Sequence, residues 1–269
     1  MDTAQHIAAL EQDGNLLATA AERAGLGAPV PSCPPWAVRD LLRHLGYVHR
    51  WAASHVRGQP WREEPAEDEV LRGGPPDADL VGWFRAGHAA LVSTLQAADP
   101  ERQFWAPVPG PSGRAAWARR QAHETAIHRV DAELAAGPVT PFRADFAADG
   151  IDELIMGFFG RGPQAPDPGP QAGRLQVLAD DQVLADDQVL ADDDGAPPIA
   201  WRVELTAGGR RAARVQRGPG PAACTLTGPA SGLYQLLWNR CDRAAAGVMV
   251  SGDGSLAQSW RDGMHVRWD

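Results

Sequence analysis

The sequence predicts a chain in two parts: an all-α four-helix bundle, then a small C-terminal α/β (α+β) domain. Three observations predict it. Apolar residues recur at helical spacing through the first 160 positions, the composition then turns Pro/Gly-rich and acidic, and short alternating segments follow. The expected division is a bundle over 1–160, a linker over 161–200, and a mixed domain over 201–269 that takes in a strand at 174–179.

The first helix is expected from Asp2 to Ala24. Ile7, Leu10, Gly14, Leu17, Ala21 and Ala24 fall three and four apart and form one stripe. Gly25 and Gly27 end it, and a Pro-rich turn runs from Pro29 to Pro35. The second helix starts near Pro35 or Trp36, carries Val38, Leu41, Leu45, Val48 and Ala52, and stops by Gly58 and Pro60. Trp61 to Pro76 is polar and Gly/Pro-rich and reads as a loop. Asp77 to Ala98 predicts a third helix on Leu80, Phe84, Leu91 and Leu95. The connection Pro100 to Gly113 holds Phe104 and Trp105. A fourth helix runs from Arg114 to Ala136, capped by Ser112, with Ala116, Ile127, Val130 and Leu134 inward, and Gly137-Pro138 closes it. A shorter helix over 145–159 follows.

Residues 161–173 read as a linker. Gln176 to Asp193 is three tandem copies of Gln-Val-Leu-Ala-Asp-Asp. The unit is too short for a solenoid, and its carboxylates lack calcium-loop spacing. It reads as the end of a strand, Leu175 to Leu178, whose acidic turn was duplicated into an exposed expansion. Beyond it, Trp201 to Leu205 and Arg211 to Gln216 form a hairpin around Gly208-Gly209. Ala223 to Thr227 and Val248 to Ser251 are strands, Ser231 to Arg240 and Leu256 to Gly263 are helical, and 264–268 is a terminal strand.

The chain has 269 residues, with 25 Lys plus Arg against 34 Asp plus Glu, a formal net charge of -9. That balance argues against a general nucleic-acid binder and against an anionic membrane surface. No apolar run approaches the roughly 20 residues that span a bilayer, and Met1 to Leu10 does not read as a signal peptide. The 3 Cys, at Cys33, Cys224 and Cys241, form neither a disulfide framework nor a metal-binding pair. A cytoplasmic protein, monomeric or homodimeric, is expected.

Chemistry concentrates in two segments: Val38-Arg-Asp-Leu-Leu-Arg-His-Leu45 and His123-Glu-Thr-Ala-Ile-His-Arg-Val-Asp131. Glu124 and His128 are four apart and share a helix face. His44 lies between Leu41 and Val48 of its own stripe. One imidazole from the second helix and a Glu/His pair from the fourth would make a three-ligand set with an open position, as catalytic zinc sites have. A surface Glu/His pair with an internally bonded His44 is the plain alternative. Asp131, three after His128, could accept its other ring proton.

These segments, Trp36 to Leu45 and His123 to Ala132, resemble the actinobacterial mycothiol-dependent maleylpyruvate isomerase family, within the DinB/YfiT-like metalloprotein superfamily. The Trp201-Arg-Val-Glu-Leu205 strand, Gly228 and the region of Trp238 resemble the family's C-terminal domain. The resemblance implies a DinB-like bundle and a divalent metal, usually zinc, on His44, Glu124 and His128. It also implies mycothiol as thiol cosubstrate and a small-molecule electrophile, with isomerase or S-transferase outcomes. A carboxylate substrate would need an arginine, with Arg119, Arg120, Arg202 and Arg240 as candidates. Trp105, in a loop, is the candidate pocket-lining aromatic.

The neighbours receive blander readings. His123 and His88 are expected as interior histidines, and His49 diverges from His44 in direction. Trp36 and Trp51 read as packing anchors, and Cys33 as an unremarkable thiol. A metal-dependent hydrolase with activated water, a metal-stabilised binding or regulatory bundle, and a biosynthetic enzyme with an altered substrate stay open beside the thiol enzyme.

Overall fold

Asp2 starts α1 (Thr3–Ala24) with a reciprocal cap: its carboxylate accepts from Gln5 N at 2.8 Å, and the Gln5 side chain accepts from Asp2 N at 2.8 Å. The coordinates are a computed structural model that describes residues 1–59, 61, 65–160, 173–181, 199–205 and 212–263. α2 (Val38–Val56) begins where Asp40 accepts from Ala37 N, and the chain turns away at Gly58 with φ +77°. α4 (Asp77–Ala97) and α5 (Gly113–Ala136) follow, the latter capped by Ser112. Between α2 and α4 the expected loop contains a short helix, α3 (Glu67–Arg72). Three acidic residues in its first turn complement the helix dipole, and it buries no residue, so it leaves no apolar stripe to read.

α1 packs on α5 and α4, and α2 on α4 and α5, closing a four-helix ring. Leu17, Leu41, Leu42, Leu45, Leu80 and Phe84 fill its middle with no exposure; each contributes about 1.5–3 kcal/mol by leaving water. Two glycines set the close approaches. A Cβ at Gly14 would lie 2.3 Å from the His88 ring, and one at Gly46 would lie 2.2 Å from the Trp83 ring. Leu134, expected inward, is half-buried. On the buried side of α5, Arg129 joins Asp13 of α1 at 2.9 Å and Glu133 at 2.6 Å. Burial pushes the Asp13 carboxyl up to about 6 despite the Arg129 charge, with Glu133 adding to the rise.

The chain divides into two compact units, Met1–Thr140 and Pro141–Asp269. The division thus falls before the helix that the sequence reading had grouped with the bundle. That helix is α6 (Ala144–Asp152), continued by a π-helical stretch, Glu153–Phe159. Its aromatic residues explain its allegiance: the Phe142 and Phe146 rings meet Tyr234 of the second unit, with centroids 5.1 and 6.4 Å apart.

Among the described residues, the second unit is a five-stranded sheet in the order β3-β2-β1-β4-β5, with helices. β1 (Gly173–Ala179) lies at its centre, antiparallel to β2 (Ile199–Leu205) and parallel to β4 (Cys224–Gly228). β3 (Ala212–Arg217) and β5 (Met249–Gly252) are antiparallel edges. α7 (Ala230–Leu237), α8 (Arg243–Ala246) and α9 (Gly254–Gly263) complete it. The first hexapeptide copy is part of the fold. Val177 and Ala179 are buried, Asp180 N donates to Gly228 O, and the Asp181 carboxylate accepts from Ala230 N at the start of α7. The other two copies, the linker over 161–172, the Gly208-Gly209 turn and the strand over 264–268 lie outside the described residues.

Candidate metal centre

α2 and α5 bring the two sequence segments face to face. His44 Nε2 lies 3.5 Å from Glu124 Oε1, and His128 Nε2 lies 3.4 Å from the same oxygen. One ligand atom from each of the three residues falls within 4.8 Å of the others. These separations are long for hydrogen bonds, whose usual N···O distance is about 2.9 Å. They match the edge of a tetrahedron of ligands about 2.1 Å from a central zinc, roughly 3.4 Å. The donors present, two imidazole nitrogens and a carboxylate oxygen, are the types that zinc takes, and the group fits a divalent ion on that ground.

Two of the three ligand candidates are held from behind. His128 Nδ1 lies 2.8 Å from Asp131 Oδ2. Asp131 has no exposure, and it accepts from Ser32 Oγ at 2.5 Å and Cys33 Sγ at 3.4 Å. The turn between α1 and α2 therefore returns to α5 and clamps the carboxylate that orients His128. Trp36, from the same turn, sets its ring 5.0 Å from that of His44 and 6.4 Å from that of His128. Trp36 is thus both the packing residue expected and one wall of the site.

Arg120 lies one turn before Glu124 and is 1% exposed. Its Nη2 donates to Glu124 Oε2 at 2.9 Å. Burial alone would raise the Glu124 carboxyl. The His128 and His44 rings and the Arg120 charge outweigh it and hold the group well below its ordinary value. For His128, burial works toward a lower value, but the bonds to Asp131 and Glu124 prevail and bring it to about 9.

The structure thus gathers His44, Glu124, His128 and Arg120. Arg120, a candidate for gripping a substrate carboxylate, is directed at Glu124 instead, because it is buried within the bundle. Trp105 is 58% exposed, and its ring meets Trp51, His55 and Trp117; no contact with His44, Glu124 or His128 accompanies that cluster. Arg240 belongs to the second unit, just after α7, and donates to Trp238 O at 2.8 Å. His49 is fully buried with Nε2 2.9 Å from Thr125 Oγ1, and burial holds it well below its ordinary value. His88 lies 3.3 Å from Glu11 O, and His123 is fully buried, so both are interior histidines. Ser32 had escaped notice, since its partner lies 99 positions away and no local pattern marks it.

A helix bundle that turns two imidazoles and a carboxylate toward one point, in a chain completed by a small α/β unit, defines a recognised class of two-domain protein. The mycothiol maleylpyruvate isomerase N-terminal domain matches residues 7–133, and the MDMPI C-terminal domain matches residues 145–259. The chain belongs to the mycothiol-dependent maleylpyruvate isomerase family. Two solved structures share its fold. One is a histidine-to-alanine mutant of the mycothiol-dependent maleylpyruvate isomerase, at TM-score 0.61 and 12% identity, with 93% of each chain covered. The other is that isomerase unmutated, at TM-score 0.58 and 13% identity over the same shares. No curated protein matches. Among the described residues, no helix is long and apolar enough to cross a membrane.

Proposed function

We propose that this chain is a thiol-dependent enzyme that uses mycothiol, or a similar low-molecular-weight thiol, to isomerise a small electrophilic molecule. A divalent metal, zinc, is held by His44, Glu124 and His128. The supporting observation is the convergence of those three donor atoms within 4.8 Å, in a chain of this family. When bound, the ion lowers the pKa of a thiol ligand so that thiolate is available near neutral pH.

The residues of the chain then have definable work. Asp131, held by Ser32, keeps a proton on His128 Nδ1 and leaves Nε2 for the ion. Glu124 offers Oε1. Trp36 covers the flank beside the two rings and keeps bulk water off it. The thiolate adds to the electrophilic carbon, forming a carbon–sulfur bond as the double-bond electrons move onto the conjugated carbonyl. Rotation about the resulting single bond and expulsion of the thiolate restore the double bond in the other geometry, with no thiol consumed. Retention of the adduct would instead make the protein an S-transferase. A cytoplasmic thiol pool is the setting this chemistry requires.

The test is metal analysis of the purified protein combined with thiol-dependent turnover of maleylpyruvate, repeated on His44→Ala and His128→Ala. Loss of metal and turnover in folded variants supports the reading. Unchanged metal content in both rejects the ligand set, and turnover independent of thiol rejects the thiol chemistry, with cleavage products then identifying a hydrolase.

A further inference from the structure

We propose that the cavity between the C-terminal ends of α2 and α4 is a second binding site, which holds a small apolar carboxylate between Arg57 and Arg102. The cavity has a volume of about 560 Å³, within the range of about 300–1,000 Å³ usual for small-molecule sites. It lies apart from the metal centre. Val56, on its wall, stands more than three turns beyond His44 on α2, about 18 Å along the axis.

Its space comes from the sequence. α4 turns Ala90, Thr94 and Ala97 toward it, small side chains four and three apart on one helix face. The buried Val56 and the half-buried Phe104, from the connection before α5, complete an apolar wall.

Arg57 ends α2, where a cation complements the helix dipole. Its Nη2 donates to Thr94 Oγ1 at 2.8 Å. That bond draws the guanidinium across to α4 and leaves its other N–H groups for a ligand. Arg102 crosses over Gly58, the residue after Arg57. A Cβ at Gly58 would lie 3.0 Å from Arg102 Nη2, and the guanidinium carbon stands 5.9 Å from the Phe104 ring centre. Two guanidiniums thus line one cavity, and among the described residues neither is in an ion pair with a carboxylate. Asp99 lines it too, with Oδ1 accepting from Glu101 N at 2.9 Å. The lining therefore carries a surplus of one positive charge, which a monoanion balances. A guanidinium fork matches the two oxygens of a carboxylate, and Phe104, Val56 and Ala97 cover an apolar body. Inorganic phosphate would leave that wall uncovered.

The experiment titrates 4-fluorobenzoate into wild type and into Arg57→Gln, Arg102→Gln, Phe104→Ala and His44→Ala. Binding is read from fluorine NMR line widths, and folding from circular dichroism. Wild type and His44→Ala should bind alike. Each arginine variant should bind about tenfold or more weakly, having lost a hydrogen bond between charged groups, and Phe104→Ala about threefold or more weakly. Both arginines are exposed, so their variants should keep the fold. Wild-type affinity in either folded arginine variant or in folded Phe104→Ala overturns the proposal, as does failure of wild type to bind at about 10 mM. Loss of binding in folded His44→Ala puts the carboxylate at the metal centre and also overturns it. Displacement of the fluorobenzoate by inorganic phosphate at equal concentration overturns the apolar class of ligand.

Discussion

Asp131→Asn retains the volume of the side chain and removes its charge at a position with no solvent exposure. Three donors converge on that carboxylate: His128 Nδ1 at 2.8 Å, Ser32 Oγ at 2.5 Å and Cys33 Sγ at 3.4 Å. An amide keeps one acceptor oxygen and turns the other position into a donor, which faces donors. The ring of His128 then loses the partner that fixes its tautomer. Loss of such a partner typically costs about 10–100-fold in metal affinity, or roughly 1.4–2.7 kcal/mol. The fold loses at least one hydrogen bond to a charged group, about 1.5–3 kcal/mol. Chelator competition with zinc reads the first quantity, and urea denaturation of the metal-free protein reads the second. Ser32→Ala is the control: it leaves the bond between His128 and Asp131 in place and should keep zinc affinity within about threefold of wild type. Zinc affinity of folded Asp131→Asn equal to that of wild type would refute the reasoning.

Three further outcomes are expected. Gly14→Ala should destabilise the bundle by about 1–3 kcal/mol in urea denaturation, since its Cβ meets His88 at 2.3 Å; Gly82→Ala on α4, with nothing within 4 Å, should gain up to about 1 kcal/mol. Asp13, raised from 3.8 to about 6 in the fold, contributes stability that is fully present below pH 3.8 and is lost as pH rises to about 6. The effect is about 3 kcal/mol, and Asp13→Asn should flatten that part of the stability–pH curve. Excision of residues 182–193 should leave the melting temperature within about 3 °C of wild type, because β1 ends at Ala179 within the first hexapeptide copy; failure to fold would contradict this.

The four long helices were legible because each carries a stripe at helical spacing and a recognisable stop. α3 was not, since its six residues bury nothing, and neither was the π-helical stretch after α6, whose apolar run suits an α-helix equally well. Spacing and inward direction offered His44, Glu124 and His128 as one of two open readings, the family resemblance put them forward as a ligand set, and the link from Asp131 to His128 came from a three-residue interval. The role of Arg120 could not be read, because an arginine four before a glutamate looks the same on a surface as in a core. Only the packing of α5 within the bundle decides that. The Ser32 and Cys33 clamp is a tertiary return of the chain, invisible to any local pattern. The division into units before α6 was not legible for a similar reason: α6 is amphipathic, and its stripe does not say which core it serves.

The tandem hexapeptide also poses a threading problem, and the chain resolves it with three residues. Sliding the strand by one whole copy would preserve its inward–outward alternation, since six is even, so alternation cannot forbid the error. What forbids it is the segment just upstream. A slipped chain would bring Asp181 to the fully buried place of Leu175, Asp180 to that of Arg174, which pairs with Glu204 at 3.2 Å, and Ala179 to that of Gly173, where a Cβ would stand 2.0 Å from Leu256. Gly-Arg-Leu acts as a key cut for one lock, and the number of spare copies behind it can change without the sheet losing its place.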